Sequence, residues 1–351
     1  MRLTPDSQKL ADRRSGPRED KTLKNKVIIT DVLTGELEIE RGVLGGVAEL
    51  IACDAYDEQE LVGRVEDADA LMVYHNITIS SATIERLQDC KLIIRCGVGV
   101  DNIDLAAAAS RGIPVANVPD YGTEEVSASA IGMTLALTRG IHLLNSRLRE
   151  GRGDWTYTHV APLRRLRGEV FGVVGLGRIG TATAMRAQSL GMDVVFFDPY
   201  KPDGYDKALG IRRVWELGDL LAQSYVISLH CPLTEETRHL IDADSVEQMR
   251  EGAYLINTAR GAVVDTAVLP EAIRSGRLAG AGVDVLPHEP PSNDDPLLVA
   301  WRDPEHPAHD RLIVNAHAAF YSEEGLQEIR VKASEACKAA IVGQPIRNVV
   351  N

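Results

Sequence analysis

"VFGVVGLGRIGTATAMRAQSLGMDVVFFDPY", residues 170–200, decides how this chain is read. An apolar run of strand composition crosses three glycines, Gly175, Gly177 and Gly180, and leaves as a helical pattern. A second apolar strand follows and ends at Asp198, 18 residues past the last glycine. Glycine spacing alone is common in turns. Glycines set between a strand and a helix, with an acid closing the next strand, mark a dinucleotide-binding unit. A side chain at Gly175 or Gly177 would block the tight turn or the approach of a pyrophosphate, and one at Gly180 would wedge helix from strand. The pyrophosphate is expected on the unpaired N–H groups that open the helix, with Arg178 and Ile179 as backbone donors. Asp198 can accept from the adenosine ribose hydroxyls and repel a 2′-phosphate, so the expected cofactor is NAD rather than NADP.

The unit lies mid-chain, and similar patterns flank it. From residue 26, "KVIITD", "ELIACD", "ADALMVY", "KLIIRCG" and "GIPVANV" read as parallel strands joined by helices such as "SATIERLQDC" and "NIDLAAAASRG", the latter closed by Gly112. A second series, "EVFGVVG", "MDVVFFD", "YVISLH", "AYLINTA", "AGAGVDV" and "RLIVNAH", is apolar enough to be buried on both faces. Between the two, "EEVSASAIGMTLALTRGIHLLNSRLREG" contains no proline and predicts one helix of about 40 Å that leaves one lobe for the next. The segment "SEEGLQEIRVKASEACKAAIVGQ" is helical, too short for a domain, and expected to pack back on the first lobe. The expected fold is α/β with two lobes. A central Rossmann domain, 122–317, is inserted in a discontinuous domain formed by 26–121 and 318–351, after a polar, disordered arm over 1–25.

Composition excludes several classes. With 351 residues, the chain has the length of about two domains. No apolar run approaches the ~20 residues that span a bilayer, and the N-terminal stretch has no apolar core of a signal peptide. A net charge of −13 argues against nucleic acid as a ligand. The basic run "LRRLRG", 163–168, reads as a solvated connector. Cys53, Cys90, Cys96, Cys231 and Cys337 are odd in number and never spaced as a CxxC pair, which argues against a disulfide framework or zinc site and for a reducing cytoplasm. No metal is expected.

Four ordered motifs, "LRGEVFGVVGLGRIG", "NTARGAVVD", "GVDVLPHEP" and "NAHAA", resemble the D-isomer-specific 2-hydroxyacid dehydrogenases over nearly the whole chain from residue 26. "ALMVYHNITIS", "RCGVGVDNID", "FFDPYKPDG", "LHCPLTEETRHLI" and "AHAAFYSEE" are most similar to the branch of C-terminal binding proteins, the dehydrogenase-like corepressors. The resemblance implies a flavodoxin-like fold for the discontinuous substrate domain. It implies a catalytic trio of Arg260, Glu289 and His317. Physical chemistry supports each choice: an arginine fork can hold a carboxylate and a keto oxygen together. An imidazole gives and takes a proton near neutrality, and a neighbouring carboxylate orients it.

The same resemblance implies that Thr123, Cys231, Thr258 and Ala259 line the cofactor and that Asp284 holds the nicotinamide carboxamide. In "CGVGVDN" the N–H groups of Val98, Gly99 and Val100 would cradle the substrate carboxylate. His75, Arg95 and Phe320 would complete the substrate pocket, Arg95 as an additional anion contact and Phe320 where that branch often has tryptophan. The expected function is NAD-dependent hydride transfer to or from a small D-2-hydroxy or 2-keto acid, in a homodimer. The alternatives are a D-3-phosphoglycerate dehydrogenase or an NAD(H)-sensing interaction protein. The run at 294–311 reads as a lid, an oligomer contact or a surface insertion.

Overall fold

The computed structural model describes residues 25–351. The arm expected over 1–25 lies, apart from Asn25, outside the described residues. Each series of apolar runs forms its own all-parallel sheet. The first holds β1 (Asn25–Ile29), β2 (Ala48–Ala52), β3 (Ala70–Val73), β4 (Leu92–Arg95) and β5 (Val115–Asn117), in the order β2-β1-β3-β4-β5. The second holds β6 (Val170–Val174), β7 (Asp193–Phe197), β8 (Arg212–Arg213), β9 (Val226–Leu229), β10 (Ala253–Asn257), β11 (Leu278–Val283) and β12 (Leu312–Val314). Its order is β12-β11-β10-β9-β6-β7-β8. These are the flavodoxin-like and Rossmann orders, and both place ligands outside the carboxyl ends of the strands, where the order reverses.

Alternation explains why the strands are apolar throughout. In β1 the side chains of Val27 and Ile29 enter one core and Ile28 the other, all fully buried. In β10, Leu255 and Ile256 divide the same way. Each such burial contributes about 1.5–3 kcal/mol, so a polar residue on either face would be costly.

The helix Glu323–Ile341 covers one face of the first sheet with Ile329, Ala333, Cys337 and Ala340. The Ser322 hydroxyl caps it by accepting from the Gly325 N–H at 2.9 Å. Arg330 clamps it down: its guanidinium donates to both oxygens of the fully buried Glu40 at 2.6 and 2.7 Å. Breaking one side of that pair would strand a buried charge, at about 3–5 kcal/mol. Past this helix the chain lies along β5, where the Asn117 N–H donates to Asn348 O and the Val350 N–H to Val115 O. The chain therefore runs from the first sheet to the second and back.

The long helix expected after residue 123 is instead two, Thr123–Thr138 and Ile141–Arg149. Gly140 breaks it with φ of +63°, and the Val160 side chain fills the space a Cβ would need. The first piece does not bridge the lobes as a free rod; it lies on the second sheet through Ala130, Met133 and Leu137. The 294–311 run also belongs to that body. Asp295 caps the helix Pro296–Arg302, whose Leu297, Leu298 and Ala300 join the core of the second sheet.

Candidate active site

The carboxyl ends of the two sheets face one cavity of about 520 Å³. One wall follows β6, β9 and β10 with Gly177, Cys231, Thr258 and Arg260; the other follows β4 with Arg95 and the loop 98–101. His317 and Phe320 reach it from the connection that follows β12.

Local chemistry shapes the first wall. Gly175 has φ of +88°, and a Cβ there would sit 2.7 Å from the Cys231 nitrogen. A Cβ on Gly180 would strike the Gly175 carbonyl, whereas nothing lies within 4 Å of one on Gly177. The helix Arg178–Ser189 opens here, and the N–H groups of Arg178 and Ile179, at its first two positions, have no intrahelical acceptor. Asp198 is fixed against the turn: Oδ2 accepts from the Leu176 N–H at 2.8 Å and Oδ1 from the Tyr200 N–H at 3.0 Å. The Thr258 hydroxyl is buried with no partner. These features fit a dinucleotide.

Arg260 follows β10 on a loop that buried Asn257 holds, its amide donating to Arg260 O at 2.9 Å and its oxygen accepting from the Ala259 N–H at 3.0 Å. The guanidinium donates through Nε to Asp101 at 2.9 Å and through Nη1 to Ala259 O at 2.8 Å, with Nη2 lying over Gly99. His317 stands opposite. Its Nδ1–H donates to Glu289 Oε2 at 2.7 Å, and the Leu286 N–H donates to Oε1 at 2.8 Å. Burial works to raise the Glu289 pKa, but the bond and charge of His317 outweigh it, and the carboxyl lies below its ordinary value. With Nδ1 so committed, Nε2 is the imidazole atom left for a substrate.

His317 has φ of +51°, unusual for a residue with a side chain, and Asp284 holds it there. The His317 N–H donates to Asp284 O at 2.7 Å, while the Asp284 carboxylate takes the Ala318 and Ala319 N–H groups at 3.0 Å. Asp284 is almost fully buried, and burial lifts its pKa above the usual range despite those donors.

The second wall is aromatic and cationic. The His75 ring lies 5.2 Å from that of His317 and 6.1 Å from that of Phe320. Burial, then the charges of His317 and Arg95, pushes the His75 pKa down to about 4, so the ring is neutral at pH 7. Arg95 is 6% exposed and donates from Nη1 to Cys96 O at 2.8 Å. Among the described residues, the N–H groups of Val98, Gly99 and Val100 have no protein acceptor.

Arg260, His317, Arg95 and Phe320 thus line one cavity, Glu289 and His75 contact His317, and Cys231, Thr258, Ala259 and Asp284 border the same cavity. Thr123 does not. Its hydroxyl donates to Asp120 O at 3.1 Å, and Val126, one turn on, reaches the wall instead. Sequence reasoning missed Asp101 and His230. Asp101 sits in the quoted "CGVGVDN", but its partner is 159 positions away. His230 precedes Cys231 in "LHCP"; its Nδ1 is buried without a partner, and burial pushes its pKa down to about 3.

A family model, "D-isomer specific 2-hydroxyacid dehydrogenase, NAD binding domain", matches residues 131–319. D-3-phosphoglycerate dehydrogenase of Methanocaldococcus jannaschii is 34% identical over 326 residues, 93% of this chain and 59% of its own. C-terminal-binding protein 1 of Caenorhabditis elegans is 32% identical over 318 residues, 88% of this chain and 42% of its own. The chain therefore spans about half the length of these curated relatives. Among solved structures, D-lactate dehydrogenase from Aquifex aeolicus, complexed with NAD and lactic acid, superposes with a TM-score of 0.80 at 29% identity. That likeness covers 91% of this chain and 96% of that one.

Proposed function

The chain belongs to the D-isomer-specific 2-hydroxyacid dehydrogenase family, and from that premise we propose that it interconverts a small 2-keto acid and its D-2-hydroxy acid. NAD supplies the hydride acceptor or, reduced, its donor. Residues 122–317 act as the NAD-binding domain, and 26–121 with 318–351 as the substrate domain. Gly175, Gly177 and Gly180 admit the pyrophosphate to the amides of Arg178 and Ile179, and Asp198 reads the ribose. Thr258 offers its orphaned hydroxyl to the cofactor, beside Cys231 and Ala259. Asp284 combines two tasks, fixing the backbone of His317 and offering its cavity-facing edge to the carboxamide.

Arg260 holds the substrate carboxylate and keto oxygen with the edge that Asp101 leaves open. Charge-assisted bonds of this kind contribute about 1.5–3 kcal/mol each. His317 delivers a proton to the forming alkoxide from Nε2, and Glu289 stabilises the charged ring before transfer. In the reverse direction the same nitrogen takes the hydroxyl proton. The N–H groups of Val98, Gly99 and Val100 receive the carboxylate. One observation carries this reading: His317, paired with Glu289, and Arg260, the three more than 25 positions apart on three loops, come together where His317 and Arg260 line one cavity beside the glycine turn.

A homodimer in the cytoplasm fits the rest. Ile141, Trp155 and Tyr157, in the segment between the two sheets, are 59%, 89% and 78% exposed, an apolar surface suited to a second copy. The five cysteines are all free.

The test is a panel of 2-keto acids with NADH, followed at the nicotinamide absorbance band. Turnover of at least one acid, with NADH favoured over NADPH, is the expected result. Tight NADH binding with no turnover on any acid would replace this reading with an NAD(H)-sensing one. Turnover confined to 3-phosphohydroxypyruvate would narrow it to a D-3-phosphoglycerate dehydrogenase.

A further inference from the structure

Resting on the reading above, the loop that carries His75 poses a question of placement. β3 lies between β1 and β4 in the first sheet, so the loop after it, 74–79, is flanked at the carboxyl end by the loops of both neighbours. The β1 side supplies acceptors. Asp31, fully buried, takes the Tyr74 N–H on Oδ1 at 2.9 Å and the Asn76 N–H on Oδ2 at 2.8 Å. The β4 side supplies donors. The side-chain amide of Asn102 donates to Tyr74 O at 2.9 Å and to Ile77 O at 2.8 Å. Two side chains thus make four bonds to the backbone on either side of His75, and none of them uses its ring.

The Asn102 amide is not what joins the two loops. Backbone pairing does that: the Ile79 N–H donates to Asn102 O at 2.8 Å, the Asp104 N–H donates to Ile79 O at 2.9 Å, and Ile79 pairs with Ile103 as a parallel bridge. Nor does Asn102 border the ligand space, which this loop lines with Val98, Gly99, Val100, Asp101 and Ile103. What its amide adds is register. It fixes the turn that sets the His75 ring 5.2 Å from that of His317, while its chain neighbour Asp101 accepts from Arg260 Nε at 2.9 Å. One residue therefore joins the two places where the first lobe meets the reacting groups. An amide suits the task because one nitrogen carries two N–H donors, one for each carbonyl.

We propose that Asn102 is a positioning residue for the reaction: against the fixed grip of Asp31, it locks the loop of His75 to the loop of Asp101, so that the ring beside His317 and the guanidinium held by Asp101 keep one spacing across the cavity. It acts through these groups and touches neither substrate nor cofactor.

The experiment measures kcat/KM for glyoxylate, pyruvate and hydroxypyruvate in wild type, Asn102→Ala, Asn102→Ser, His75→Phe and the double variant Asn102→Ala/His75→Phe. Rates are expressed per NADH-binding site counted by fluorescence titration, which divides out any loss of folded protein. Asn102→Ala lowers kcat/KM about 10- to 100-fold, the scale of a small misplacement of a reacting group, and leaves NADH affinity within about twofold of wild type. Asn102→Ser, which keeps one donor of the two, falls between. The double variant loses less than the product of the two single losses, because both disturb one loop. A rate per site within about twofold of wild type in Asn102→Ala, or losses that multiply in full, overturns the proposal. Should Asn102→Ala fail to fold, Asn102→Ser, alone and combined with His75→Phe, decides by the same criteria. Where wild type reduces none of the acids, oxamate binding to the NADH complex is read in its place. Weaker oxamate binding in Asn102→Ala then keeps the positioning role and sinks the reductase reading, whereas oxamate binding that is unchanged, or absent from wild type, sinks both.

Discussion

Two glycine turns face each other across the cavity, and they use their glycines differently. In "GLGRIG", 175–180, the missing side chains let backbone approach backbone: Gly180 against the Gly175 carbonyl, Gly175 against the Cys231 nitrogen. In "CGVGVD", 96–101, they let side chains approach backbone, with Arg95 over Gly97 and Arg260 over Gly99. Both turns leave N–H groups free toward the cavity. What occupies the space of the absent Cβ therefore tells more than the spacing of the glycines. One turn has the form of a cradle that would take a ligand's phosphates; the other is a seat for the protein's own cations.

The contrast can be broken by experiment. The largest effect belongs to the group both turns serve: His317→Ala lowers turnover of a 2-keto acid roughly 100- to 10,000-fold while NADH affinity changes little, measured by steady-state rates and fluorescence titration. Unchanged turnover would remove the imidazole from the chemistry. Next, Gly99→Ala pushes Arg260 from its seat and lowers kcat/KM about 100-fold, with NADH binding within about twofold of wild type. A parallel loss of NADH affinity would mean that the second turn also carries the cofactor. Gly175→Ala gives the mirror result. Its positive φ and the nearby Cys231 nitrogen lower NADH affinity about 10-fold, the equivalent of 1–2 kcal/mol of backbone strain.

Asp198→Ala sharpens the cofactor side further. The NAD-over-NADP preference falls about 10-fold in paired kinetic assays; an unaltered ratio would show that the acid serves only the Leu176 and Tyr200 amides. The smallest effect is on stability. Burial and neighbouring cations hold the His75 pKa down at about 4 in the folded protein, against about 6.5 when unfolded. Between these values the unfolded chain binds a proton that the folded one refuses, so this group lowers stability as pH falls from about 6.5 to about 4 and adds nothing further below. Urea midpoints of wild type and His75→Phe therefore diverge across that window. A gap independent of pH would contradict the neutral ring.

The dinucleotide turn was legible because everything it needs is contiguous: strand, glycines, helix and Asp198 fall within the 31 quoted residues. Both parallel sheets were legible for the same reason, each strand being a self-contained apolar run. The second turn was readable only as a backbone cradle, since Arg260 meets Gly99 and Asp101 solely through folding. The break at Gly140 was hidden because Val160, which fills its space, lies 20 positions on and carries no helical signal. Thr123 belonged to a pattern carried over by likeness, and the local turn that its hydroxyl closes takes it out of the wall.

The doubled crossing also fixes an order of assembly. The first sheet's strands leave the ribosome early, yet the helix that seals them, Glu323–Ile341, is made about 200 residues after β5. The second sheet needs no such late element, since its last strand, β12, is made before that helix. The lobe begun first is thus completed last, and until then its bare face, from Val27 to Val118, is the surface a chaperone would be expected to guard.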